Sequence, residues 1–142
     1  MGLFDKDIIT RDPYDDYRQT SILFIKRQFV YDRDLKMMLW DGRVDEFCSS
    51  VDKCSNSLVN RGYNTSHGVK EEHISINHIG DVGHCKYFQI YSHITTPSEY
   101  TFKLYSMCFC MQPDPYGGVN IIWADEVENL TTKELELFET IK

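Results

Sequence analysis

The sequence contains no apolar run approaching the ~18 to 20 residues that would cross a bilayer. Its compact apolar stretches are short, Ile22 to Ile25 among them. The opening Met1-Gly2-Leu3-Phe4-Asp5-Lys6 lacks a cationic start followed by a long apolar core, so a secretory signal is not expected. Lys6 also stands where a myristoylation pattern requires Ser or Thr. Positive charge is in the minority: 15 Lys and Arg against 22 Asp and Glu leave a formal charge of -7. That balance repels phosphate backbones, and Lys26-Arg27 is the only adjacent basic pair, so nucleic acid is not an expected partner. A glycine-rich phosphate loop, a Gly-x-Ser-x-Gly elbow and a His-Glu-x-x-His helix are all absent, which removes the common sequence signatures of catalysis.

What is present has a globular composition, 42% hydrophobic and 13% aromatic over 142 residues, enough for one folded domain. The five cysteines are odd in number and form no Cys-x-x-Cys, so they read as reduced thiols. The expected location is cytoplasmic or inside an assembled particle. In that setting the Asn64-Thr65-Ser66 and Asn129-Leu130-Thr131 sequons carry no glycan.

Residues 1–19 are rich in Asp, Arg and Tyr, include Asp12-Pro13, and keep no period. They read as an extended arm ahead of a single α+β domain over residues 20–142. Ser21 to Tyr31 has strand composition, and Asp32-Arg33-Asp34 can turn it into Leu35 to Trp40, which predicts a hairpin. Val44, Phe47, Cys48, Val51, Cys54 and Leu58 recur at helical spacing and predict an amphipathic helix from about Arg43 to Arg61.

Three strands then read as a meander: His73 to Ile79, His84 to Thr95, and Tyr100 to Met111. Gly80-Asp81-Val82-Gly83 and Thr96-Pro97-Ser98-Glu99 serve as their turns. Val119 to Ala124 is a further strand, and Thr131-Thr132-Lys133-Glu134 a capping box that opens a helix carrying Leu135, Phe138 and Ile141. The fold class that follows is a two-layer sandwich. Its mostly antiparallel sheet of about five or six strands would carry the central and C-terminal helices on one face.

If both meander turns close symmetrically, His78 lies opposite Cys85 and Cys85 opposite Cys110, in one row on the face that carries Ile74 and Ile76. His78, Cys85 and Cys110 are thus weak candidates for a tetrahedral metal site; buried cysteines packing as small hydrophobes account for the same pattern. No cofactor and no metal are assigned. His73-Ile74-Ser75 and His93-Ile94-Thr95 each resemble the His-x-Ser/Thr signature of the two-histidine phosphoesterase family. In that family paired histidines from separate halves of the chain converge in one cleft and share acid and base roles. The symmetric register points His73 and His93 from opposite faces, so no catalytic residue is assigned, although a slipped register would bring them together.

The remaining signals belong to surfaces. Arg11, Tyr14, Tyr17 and Arg18, together with Tyr116 in the Pro113 to Gly118 loop, are residue types enriched where proteins meet proteins. The functional expectation is a non-enzymatic assembly subunit of a larger complex, such as a virus particle, with protein partners in homo- or hetero-oligomers. An acidic inhibitor or immunity-type protein that blocks a basic partner site is the first alternative. A small His/Cys metal protein or phosphoesterase is the second.

Overall fold

The computed structural model describes residues 12–51 and 63–139. Two helices open the described chain, α1 over Asp15–Tyr31 and α2 over Arg33–Trp40, followed by a helical run, α3, over residues 44–51. A single turn, α4, covers Tyr63–Ser66. The strands β1 (Glu71–Val82), β2 (Cys85–Thr95), β3 (Thr101–Pro113) and β4 (Val119–Trp123) form one antiparallel sheet in the order of the sequence. A 3-10 turn at Ala124–Glu126 and a last helix, α5, over Thr132–Glu139 complete it. The chain is therefore α+β with four strands among the described residues, not five or six.

The difference arises at Ser21 to Trp40, where the predicted hairpin is the helix pair α1 and α2. Ile22, Ile25 and Val30 favour strands by intrinsic preference, yet that preference is worth only tenths of a kcal/mol per residue, about 0.5 or less, and burial overrides it. Tyr17, Ser21, Ile25 and Phe29 recur every four residues and are all buried, forming a stripe that only a helix can lay against a sheet. Asp32 does not turn a hairpin. Its carboxylate accepts hydrogen bonds from the amides of Asp34 (3.0 Å) and Leu35 (3.3 Å) and so caps α2. Asp15 to Gln19, assigned by sequence to the arm, form the first turn and more of α1, while residues 1–11 lie outside the described residues.

The predicted helix from Arg43 holds over residues 44–51, with Phe47 and Val51 buried; Cys54, Leu58, Arg61 and Gly62 lie outside the described residues. These helices cover one face of the sheet. Phe29 stacks on Phe47 at 5.4 Å between ring centroids and meets Phe109 and Trp123 on β3 and β4. Ile74, Ile76, Phe88, Ile90 and Met111 complete this core from the strands.

The C-terminal helix sits on the other face, which corrects the expectation of both helices on one side. Phe138 packs edge-on against Tyr87 at 5.9 Å, and Leu137 lies so close to Gly80 that a Cβ there would fall 2.6 Å from it. A side chain at position 80 would have to push the Leu137 tip aside, so glycine eases the docking of α5. The capping box predicted at Thr131 is present in full: Thr131 Oγ1 accepts from the Glu134 amide at 3.2 Å, and Glu134 Oε1 accepts from the Thr131 amide at 2.9 Å. Ile141 lies outside the described residues. No helix among the described residues is long and apolar enough to cross a membrane.

Candidate functional site

The register decides which residues meet. β1 runs on to Val82, which pairs with Cys85 across a two-residue loop, Gly83-His84, with Gly83 at φ +61°. A positive φ suits glycine and matches the twist of a short hairpin loop, so the turn is shorter than a symmetric one through residues 80–83. A bulge between His78 and Gly80 then shifts the pairing once more. As a result His78 faces Phe88, three residues beyond the expected Cys85. Three is odd, so from Phe88 to Thr95 the β2 side chains change face relative to β1.

Two consequences follow. The weak metal set is split: His78 stands on the helix side, 5.0 Å from the Phe88 ring and hydrogen-bonded at 2.7 Å to Asp81. Cys85 and Cys110 lie on the opposite face, where Cys110 pairs with Tyr87. No group of metal-ligating side chains forms among the described residues. Conversely, His73 pairs directly with His93, which corrects the expected divergence. Ser75 pairs with Tyr91 and Thr95 with Glu71, so both His-x-Ser/Thr motifs project from one face. Lys103 pairs with His93 from β3 and places its ammonium 5.6 Å from the Tyr91 ring. His73 also lies 3.5 Å from Glu71 and keeps 60% of its side chain exposed, so the pair sits on an open face.

The thiols explain themselves by burial. It pushes Cys108 up to about 11, and it does the same for Cys110, where the neighbouring Cys85 adds to the effect. Neutral thiols of this kind are poor nucleophiles and serve here as packing.

The residues predicted to bind a partner separate in the same way. Arg11 lies outside the described residues. Tyr14 packs edge-on against Phe102 at 5.2 Å. Tyr17 is 1% exposed, and its hydroxyl donates to Glu72 Oε1 at 2.8 Å, so it is an internal residue and no contact surface. Arg18 donates from Nε to the Leu104 carbonyl at 2.8 Å and pairs with Asp12, which ties it to the body as well. Tyr116 remains, 95% exposed at the tip of its loop.

Sequence reasoning missed the group that Tyr17 serves. Glu72 is 2% exposed and accepts three hydroxyl donors: Tyr17, Ser21 at 2.6 Å and Ser92 at 2.6 Å. Because Ser21 gives its proton to Glu72, the Tyr105 hydroxyl must donate to Ser21 across their 2.9 Å contact. Burial, then the Glu72 charge, hold Tyr105 above the ordinary phenol range. The signal available in the sequence was Glu72 in phase with Ile74 and Ile76, a carboxylate on the apolar face.

It also missed an apolar stripe on the outer side of α1. Leu23, Val30 and Tyr31 are 61%, 70% and 82% exposed, and their i, i+7, i+8 spacing places them on one side with Arg27 between. Beside them a groove of about 400 Å³ lies between α1, α2 and β4, lined by Lys26, Phe29, Val30, Lys36, Asn120, Ile121 and Trp123. Lys26 is neutralised by Asp125 and Glu126 at 3.3 and 3.0 Å. Arg27, Arg33 and Lys36 have no carboxylate partner among the described residues. Lys36 thus brings a cation without a described carboxylate partner to the wall of this groove, with Arg27 and Arg33 on the same two helices.

No protein-family model, curated protein or solved structure matches this chain.

Proposed function

We propose that the chain is a non-enzymatic assembly subunit that docks a partner protein on the outer side of α1 and the adjoining β4 groove. The observation that carries the reading is the union of exposed apolar side chains with cations that no described carboxylate neutralises. Soluble surfaces normally scatter such apolar groups singly. Here Leu23, Val30 and Tyr31 share one side of α1, and Val30 also lines the adjoining groove. The matching partner is an amphipathic segment with an apolar anchor and carboxylates beside it, because Arg27, Arg33 and Lys36 reward negative charge. A virus particle or comparable multi-protein machine is the setting this suggests.

Cross-linking of the intact protein in its native extract with an amine-reactive reagent tests the reading. Cross-links to one partner should concentrate at Lys26 and Lys36, and Leu23→Asp with Val30→Asp should remove them while the thermal midpoint holds. A double variant that keeps every partner overturns the docking site. Loss of binding on charge reversal of surface acids, with Lys36→Glu without effect, would instead favour an acidic inhibitor of a basic partner.

A second reading rests on the register alone. His73, Ser75, His93 and Thr95 share one face, and opposed imidazoles can divide acid and base roles in phosphoester cleavage. Hydrolysis of a cyclic phosphodiester that His73→Ala and His93→Ala each abolish is its test. The open face at His73 ranks it below docking, since such chemistry gains most from a site that excludes water.

A further inference from the structure

An open cavity of about 640 Å³ lies along the edge of β3 where β4 ends, between Ile22 of α1 on one side, Phe138 of α5 on the other and the Ala124–Glu126 turn. Its size lies within the ~300 to 1,000 Å³ of ordinary small-molecule sites. Ile22, Met107, Ala124 and Phe138 give it apolar walls, and Cys108, a neutral thiol, adds to them. The polar groups converge from the strands. Asn77 Nδ2 donates to Gln89 Oε1 at 3.4 Å, and Gln89 Nε2 donates to Ser106 Oγ at 2.8 Å. Since Ser106 Oγ is already an acceptor in this relay, its own proton is left to donate into the cavity.

Lys103 supplies the second donor. Its ammonium stands off the Tyr91 ring and has no carboxylate partner among the described residues. Asp125, the one acidic lining residue, is held by Lys26 at 3.3 Å. We propose that this cavity binds a small amphipathic carboxylate, its head group on Lys103 and Ser106 and its apolar body against Met107 and Phe138. One cation and one hydroxyl match a monoanionic planar head. A phosphate dianion would meet too few donors and the charge of Asp125. Among the described residues the cavity shares no lining residue with the α1 groove, so the inference stands or falls apart from the docking reading.

Titration of the intact protein with octanoate, 1-octanol and octylamine, followed by calorimetry and by amide NMR shifts, tests it. Octanoate should saturate one site and shift Gln89, Ser106 and Cys108 together. Lys103→Met should weaken it tenfold or more, Ser106→Ala about threefold, and Ala124→Phe should abolish it by filling the cavity. Lys103 is exposed, so its variant should retain the native amide spectrum. Equal binding of octanol and octanoate, or unchanged affinity in Lys103→Met, overturns the head-group assignment. No saturable shift with any of the three overturns the site.

Discussion

The two ends of α1 rest on the same sheet by different physics. At the Phe29 end, Phe29, Phe47, Phe88, Phe109 and Trp123 form a continuous aromatic cluster with ring centroids 4.9 to 5.7 Å apart. At the Tyr17 end the smaller cluster of Tyr17, Val69, Ile94, Leu104 and Tyr105 surrounds a carboxylate. Aromatic contact is strong but tolerant of direction, since many offsets are nearly equal in energy. The Glu72 cage has little such freedom: three hydroxyls from α1 and β2 must reach two oxygens on β1. One end supplies cohesion, and the other fixes where along the sheet the helix stops.

The sharpest way to break this comparison is at the aromatic end. Phe109→Ala removes a wholly buried ring in contact with Phe29, Phe88 and Trp123 and should cost about 4 kcal/mol in denaturant unfolding. Glu72→Ala should cost about 3 kcal/mol, because it leaves buried hydroxyls without their acceptor. Tyr17→Phe removes one donor to a charged group, at about 2 kcal/mol, and a double-mutant cycle with Glu72→Ala should show that the two effects do not add. Additive losses would mean that the cage is not a unit.

Alkaline pH probes the Tyr105 cage and the thiols on the outer face together. Cys108 and Cys110 are pushed from 9.0 up to about 11, and burial raises Tyr87 and Tyr105 above their ordinary 10.0. The unfolded chain therefore releases protons first. Stability is fully present below pH 9 and is lost progressively as pH rises through 9 to 11. Unfolding midpoints at pH 8, 9.5 and 10.5 should fall in that order, and a flat profile would contradict the burial of these groups. At the small end, Asp32→Ala should cost about 1 kcal/mol through loss of the α2 cap. His73→Ala, on the open face, should change stability by no more than about 0.5 kcal/mol.

Much of the fold was legible where local chemistry decides it. The capping box at Thr131 and Glu134, the helix at Val44 to Val51 and the three-strand meander all follow from spacing and turn residues. Helix α1 was not, because its β-branched and aromatic residues satisfy a strand pattern as readily, and only the sheet beneath selects the four-residue stripe. The candidate sites were legible in type and not in place. Tyr17 is an interface-prone residue that the fold buries, Tyr14 and Arg18 are half-buried against β3, and Leu23, Val30 and Tyr31 were assigned to a strand and not to a surface.

The amino-acid order by itself determined that this is an acidic α+β chain with an antiparallel meander, since periodicity and turn propensity act within a few residues. Which side chains share a face was settled only in three dimensions. A two-residue loop at Gly83-His84 and one bulge before Gly80 slip the register by an odd number, and along a pleated strand an odd slip exchanges the faces. That exchange separates His78 from the cysteines and sets His73 against His93.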